Sequence, residues 1–201
     1  MPDLLFATRN PWKVQLFQSV FQRYGFKMLS LADVLVVADA PVESGATAVE
    51  NALMKARYFH SQEHPWVFGD DAGLEIDALC GAPGVQARRW NGHFSDDVDD
   101  QTWLDYLLLL LRDVPQEKRT ARFVSGWALV APDRTAYTRE IEWPFQIATQ
   151  PIRSISPGSP ISAVRMGPLD DLAHRQADIQ REWECWNIFT QINHDVGTYN
   201  E

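Results

Sequence analysis

Cysteine is nearly absent from this chain of 201 residues, which contains only Cys80 and Cys185. Two cysteines are too few for a disulfide framework, and their spacing matches no metal site. This scarcity is typical of a reducing compartment. The N-terminus also lacks a charged segment followed by an apolar one, so we expect no signal peptide and a cytoplasmic protein.

Long apolar runs and an excess of positive charge are missing as well. The longest aliphatic run, Leu107 to Leu111, is far shorter than the roughly 18 to 20 residues that a membrane span needs. The formal net charge is −9, whereas proteins that bind nucleic-acid polymers usually cluster lysine and arginine. We therefore expect neither a membrane nor a nucleic-acid partner. A small anion held by a few cations and a metal ion is compatible with this charge.

Four common catalytic fingerprints are also absent. The sequence contains no GxxxxGK[ST] loop, no GxGxxG turn, no HExxH pair and no GxSxG elbow. We therefore expect any chemistry to depend on residues outside these motifs.

Hydrophobic periodicity alternates between short strands and amphipathic helices, which predicts an α/β fold. The spacing predicts helices that begin after Asn10, after Thr47 with its capping partner Glu50, at Asp100 and at Asp170, the last running to Ile192. Prolines between residues 144 and 168 predict a loop with one edge strand. No interdomain linker or repeat is visible, so residues 1–201 are expected to form a single domain. Strands are predicted at DLLFAT, WVFGD, LEIDAL, TARFVSGWALVAP and TAYTREIEW.

Two adjacent aspartates, Asp70 and Asp71, stand between two of these predicted strands. Aspartate and glycine are ordinary turn formers, so the simplest interpretation of DDAG is a surface turn. The pair could instead belong to a polar constellation at the boundaries of predicted elements. Its members are Thr8, Asn10, Lys13, Glu43, Glu50, Asn51, Lys55, Asp70 and Asp71.

Phosphate chemistry would explain this combination of residue types. A helix N-terminus after a strand offers free N–H groups, and Lys13 adds a cation one turn later. Carboxylates repel phosphate unless a hard divalent ion such as Mg²⁺ lies between them, and a second carboxylate could take a proton from water. Each residue also has a simpler structural explanation, with Asn10 as a helix cap and the lysines as solvated helix residues.

Three segments carry a specific resemblance to a known family. FATRNPWKV, ESGATAVENALMKA and GDDAGLEIDALCGAPGVQARRWNG are similar, in this order, to motifs of the inosine triphosphate pyrophosphatase family, and RTARFVSGWALVAPD extends the likeness. The resemblance covers roughly residues 4 to 131. It implies a long, twisted mixed β-sheet whose flanking helices form two lobes around a central cleft. It also implies a homodimer that uses Mg²⁺ to hydrolyse a non-standard purine nucleoside triphosphate to the monophosphate and pyrophosphate.

The resemblance also implies roles for individual residues. Thr8, Asn10 and Lys13 would hold the triphosphate, and Lys55 would neutralise charge that develops on it. Glu43 and Asp71 would bind Mg²⁺, and Asp71 would also accept a proton. By the same resemblance, Glu50, Asn51 and Asp70 would be supporting polar residues.

The sequence departs from the family pattern near the substrate. Arg9 replaces a glycine and adds a cation near the phosphates, and Ala72 replaces a serine. The family's base-binding loop, with its aromatic-Gly-Tyr-Asp motif, is not visible, although His174 and Arg175 match its His-Arg pair. Three interpretations therefore stay open: an active enzyme with altered base preference, a pyrophosphatase for pyrimidine or standard nucleotides, and a non-catalytic nucleotide-binding or scaffold protein.

Overall fold

Strands and helices alternate along the chain as the periodicity predicts. The computed structural model describes residues 1–34, 41–167 and 172–188. No helix within these ranges is long and apolar enough to cross a membrane. The helices in them are α1 (Pro11–Arg23), α2 (Ala48–Phe59), α3 (Asp100–Leu110) and α4 (Leu172–Trp186). The strands are β1 (Asp3–Phe6), β2 (Lys27–Ser30), β3 (Val67–Ile76), β4 (Pro83–Gly84), β5 (Thr120–Val130), β6 (Ala136–Ile147) and β7 (Arg165–Met166).

Local capping contacts fix the starts of the first two helices, as predicted. The side chain of Asn10 accepts a hydrogen bond from the backbone N–H of Trp12, and Pro11 occupies the first turn of α1. At α2, Thr47 and Glu50 form a complete capping box. These contacts satisfy N–H groups that the helices cannot bond internally.

The strands of the described ranges form one mixed sheet in the order β2-β1-β3-β5-β6-β7. The short strand β4 pairs with the far end of β3, on the same edge as β1 and opposite β5. Strand β1 pairs in parallel with β2 and β3. Strands β3, β5, β6 and β7 pair antiparallel. The predicted α/β class with a long mixed sheet is confirmed.

The interpretation of DDAG as a turn between two strands is wrong. Strand β3 runs unbroken through both aspartates, because β5 pairs with it from Val67 to Ile76. The neighbouring glycine serves packing: a Cβ on Gly69 would lie 2.1 Å from the carbonyl oxygen of Ala52 on α2. Gly69, directly before the two aspartates, therefore marks a place where the backbone of α2 lies directly on β3.

Other boundaries also differ from the prediction. Strand β6 continues past Trp143 through Pro144 to Ile147, because β5 and β7 pair with it there. Strand β2 was not predicted. Helix α4 ends at Trp186, and Asn187 follows with a left-handed φ of 51°. The predicted beginning of this helix at Asp170 and its end at Ile192 lie outside the described residues.

The helices divide one face of the sheet into two covered areas. Helices α1 and α4 pack on the area around Phe68 and Trp127. Helix α3 packs on the area around Leu74 and Phe145. The sheet between these areas is left uncovered by either helix group and forms the floor of a cleft. Helix α2 packs on the opposite face, against Val67 and Ala128.

Candidate functional site

The cleft between the two covered areas has a volume of about 410 Å³. Its floor comes from alternate residues of β3, β5 and β6, because successive strand side chains point to opposite faces. Helices α1 and α4 and the loop before residue 160 supply the walls. The lining residues are Asn10, Trp12, Lys13, Leu16, Phe17, Asp70, Ala72, Phe123, Ser125, Trp127, Trp143, Gly158, Ser159, Arg175 and Ile179.

The two aspartates point to opposite faces of β3. Asp70 faces the cleft and contacts α1, whereas Asp71 faces α2. Along this edge of β3, pairing with β1 ends at Phe68 and pairing with β4 begins at Leu74. Among the described residues, no strand covers the edge between them, so both carboxylates lie beside an open gap in the sheet.

On the cleft side, Lys13 and Asp70 form a partly buried ion pair. Lys13 Nζ lies 2.7 Å from Asp70 Oδ2. Burial alone would lower the pKa of Lys13, but the ion pair and hydrogen bond with Asp70 and the charges of Asp71 and Glu43 raise it above its ordinary value. The positive charge of Lys13 is therefore stabilised by carboxylates on both faces of the strand.

On the other side, Asp71 is held by two residues of α2. Asn51 Nδ2 donates to Asp71 Oδ2 at 3.1 Å, and Lys55 Nζ donates to Asp71 Oδ1 at 2.8 Å. Asn51 is itself fixed, because its Oδ1 accepts a hydrogen bond from the Gly45 N–H. Lys55 also lies 3.3 Å from the carboxylate of Glu43. Asn51 and Lys55, four residues apart on α2, thus converge on one aspartate.

The turn between β1 and α1 begins where the pairing of β1 with β3 ends, at Phe6 and Phe68. Thr8 Oγ1 accepts a hydrogen bond from the Asn10 N–H, and Asn10 caps α1. Arg9 is exposed in this turn.

Glu50 is occupied by the capping box of α2, where it accepts from the N–H groups of Ala46 and Thr47.

The structure separates the residues predicted near the substrate and its base. Ala72 and Arg175 line the cleft, but His174 is exposed and is not among the lining residues. Burial lowers the pKa of Arg175, and the charge of Asp178 partly offsets this effect. Within the predicted His-Arg pair, the arginine is the member that lines the cleft.

Sequence reasoning missed the aromatic and hydroxyl residues on the cleft floor. Phe123 and Ser125 lie on β5, and Trp143 lies on β6. Their alternation along each strand was a usable signal, because one face of a paired strand carries residues i, i+2 and i+4. What the sequence did not reveal was that none of the described helices covers this part of the face.

The site offers oxygen donors for a metal ion, but few of them. No group of three or more His, Cys, Asp or Glu side chains in the described ranges is placed to hold a metal. Glu43 and Asp71 are close enough that Lys55 contacts both. Such a set suits a hard divalent ion that takes its other ligands from water and phosphate.

Comparison with known proteins identifies the relationship. Residues 4–155 match the Ham1 family. The chain belongs to the Ham1 family. Its relatives include a dITP/XTP pyrophosphatase from Nocardia farcinica, which is 36% identical over 189 residues that cover 87% of this chain and 90% of that protein. The predicted family is confirmed.

Solved structures show the Ham1 fold as well. A crystal structure named nucleoside-triphosphatase or dITP/XTP pyrophosphatase, from Mycobacterium abscessus, is 31% identical with a TM-score of 0.67 and covers 93% of this chain and 97% of that one. A HAM1 protein structure from Coxiella burnetii has a TM-score of 0.77 at 24% identity, over 95% of this chain and all of that one (100%). The second likeness concerns the fold alone.

Proposed function

We propose that this chain hydrolyses non-standard purine nucleoside triphosphates, such as inosine or xanthosine triphosphate, to the monophosphate and pyrophosphate. The convergence of lysines and carboxylates at the open edge of β3 carries this proposal. The names of the Nocardia and Mycobacterium relatives support the substrate class. A scaffold protein would gain little from these ion pairs, because well-packed apolar residues of similar volume are often at least as stabilising as a buried ion pair.

The triphosphate is assigned to the N-terminus of α1. Free N–H groups and the positive end of the helix dipole favour anions there. Thr8 and Asn10 shape the turn, Arg9 adds an exposed cation, and Lys13 lies one turn into the helix. Asp70 holds the Lys13 ammonium at the entrance of the cleft.

Glu43 and Asp71 would hold Mg²⁺, because both carboxylates contact one cation already, the ammonium of Lys55. Two carboxylates, completed by phosphate oxygens and water, match the usual preference of this ion. When bound, Mg²⁺ supplies charge against the phosphate oxygens and lowers the pKa of nearby water.

The reaction assigned to this site is attack of water on the α-phosphorus. The new P–O bond forms to the water oxygen, the bond to the bridging oxygen breaks, and pyrophosphate leaves. The carboxylate of Asp71 would accept the proton of the water. Lys55 would stabilise the negative charge that develops on the phosphate oxygens, and Asn51 would keep Asp71 in position.

The base end is assigned to the part of the cleft at Arg175, whereas Ala72 lines the cleft nearer to Asp70. A contact of His174 with the base stays a prediction, as do the homodimer, the single domain over residues 1–201 and the cytoplasmic location. Light scattering of the purified protein would test the dimer directly.

The proposal is tested by incubating the protein with Mg²⁺ and a panel of standard, deaminated and modified nucleoside triphosphates. We expect pyrophosphate and a monophosphate as the initial products. Lys55→Met should abolish most of this activity, whereas Lys118→Met, in a 3₁₀ turn away from the cleft lining, should not. Orthophosphate and a diphosphate as initial products, or no product with any nucleotide, would contradict the proposal.

A further inference from the structure

The base end of the cleft can be located by counting along the paired strands. Asp70, at the phosphate end, pairs with Trp127, and Leu74 pairs with Phe123. At about 3.3 Å per residue, the row of Leu74 lies roughly 13 Å along β3 from Asp70. Trp143 belongs to this row, because it pairs with Phe123, and it lines the cleft. A nucleotide with its phosphates at Lys13 would therefore direct its base toward Trp143.

Trp143 is fixed in place and carries an arginine on its ring. Its indole N–H donates a hydrogen bond to Ser125 Oγ at 3.1 Å. The guanidinium carbon of Arg175 lies 5.0 Å from the centroid of the Trp143 ring. All three side chains line the cleft, although they come from β5, β6 and α4.

We propose that Trp143 is a positioning residue for Arg175 in nucleotide binding. This inference rests on the proposed function, because it assigns the base end of the same cleft. The indole face holds the guanidinium at the cleft wall before the nucleotide arrives, and Ser125 fixes the orientation of the ring. Arg175 then contacts the nucleotide without first being ordered by it.

Preorganisation is the physical reason for this arrangement. An arginine side chain has several rotatable bonds, and ordering it on binding reduces affinity. A cation held over an indole face is attracted by the ring electrons, most strongly where water is partly excluded. Both conditions are met here, because Trp143 and Arg175 are each half-buried.

A double-mutant cycle tests the coupling. We would prepare Trp143→Met, which keeps apolar volume but removes the ring, Arg175→Ala and the double variant. Trp143→Phe keeps a ring face, and Trp143→Leu replaces the methionine variant if that variant does not fold. Trp66→Leu is the matched control, because Trp66 is a half-buried tryptophan that packs on Phe26 outside the cleft lining.

The readout is binding, measured by calorimetry with two probes. One probe is an inosine triphosphate analogue with a methylene group between the α- and β-phosphates, and the other is inorganic tripolyphosphate, which has no base. We expect Trp143→Met and Arg175→Ala each to lower the affinity for the analogue by about 3- to 10-fold. The double variant should be no weaker than the weaker single variant, and Trp143→Phe and Trp66→Leu should stay within about 2-fold of wild type.

Tripolyphosphate should bind all variants equally, because it does not reach the base end. The inference is overturned if the affinity loss of the double variant equals the product of the two single losses. It is also overturned if the affinity for tripolyphosphate falls in parallel with that for the analogue, or if the wild type does not bind the analogue. Failure of the proposed hydrolysis is a separate result. If the wild type binds the analogue but releases no pyrophosphate from any nucleoside triphosphate, the proposed reaction is refuted, whereas the double-mutant cycle can still be evaluated from binding.

Discussion

Replacing Asp71 by asparagine removes a charge from a buried ion pair and disturbs the hydrogen bonds around it. The side chains of Asp71 and Lys55 are only 12% and 11% exposed. Asp71 accepts from Lys55 with one oxygen and from Asn51 with the other. An asparagine has one oxygen, so its NH₂ group must face one of these two donors.

The Asn51 amide cannot rotate to relieve this conflict, because its own oxygen is bonded to the Gly45 N–H. A buried donor without an acceptor costs about 1 to 3 kcal/mol, so we expect Asp71→Asn to lower the free energy of unfolding by that amount. Domains of this kind are stable by about 5 to 15 kcal/mol, so most molecules should remain folded. In the folded molecules, turnover should fall by on the order of 10²- to 10³-fold, because a preorganised charge and the proposed proton acceptor are both lost.

Urea unfolding and steady-state kinetics on the same preparations would separate the two effects. Asp96→Asn is the control, because Asp96 is an exposed partner of Arg89 and does not line the cleft. It should change neither turnover nor stability appreciably. Near-normal turnover of Asp71→Asn in folded protein would refute the role assigned to this carboxylate.

Three further substitutions probe the packing of α2, the loop at the cleft and the base end. Gly69→Ala should destabilise the fold by more than about 2 kcal/mol in urea unfolding, because its Cβ would meet the Ala52 carbonyl; an unchanged midpoint would contradict the packing. The pKa of Asp100 is lowered by its hydrogen bond from Arg88 and by the Gly158 N–H. The ionised Asp100 therefore stabilises the fold fully at pH values above its ordinary pKa of 3.8, and this stabilisation is lost as the pH falls through the lower folded-state pKa. Asp100→Asn should cost about 1 to 2 kcal/mol at pH 7, and a difference from wild type that persists in acid would contradict this. Arg175→Ala should raise KM more than it lowers kcat, and wild type should prefer inosine over guanosine triphosphate by less than about 10²-fold.

The helix starts could be predicted from the sequence because their causes are local. Asn10 and Pro11 mark α1, and the capping box of α2 needs only residues three apart. The convergence of Asn51 and Lys55 was also predictable, since residues four apart share one face of a helix.

The shape of the site could not be predicted because distant pairing decides it. Asp70 and Asp71 lie in an unbroken strand only because β5, about fifty residues later in the chain, pairs with them. The contact between Trp143 and Arg175 likewise joins a strand and a helix that are remote in sequence. Of the prolines that predicted a loop after residue 143, Pro144 was misleading, because it lies within β6 and pairs with Arg122. The prediction holds for residues 148–159, which form no helix or strand, and for the edge strand β7.

The position of water attack is tested most directly by hydrolysis in ¹⁸O-labelled water. Mass spectrometry of the products of inosine triphosphate would show which phosphorus received the solvent oxygen. Attack at the α-phosphorus, beside Asp71 and Lys55, predicts one labelled oxygen in the monophosphate and none in the pyrophosphate. Label in pyrophosphate or orthophosphate, with an unlabelled nucleotide product, would contradict the assigned reaction.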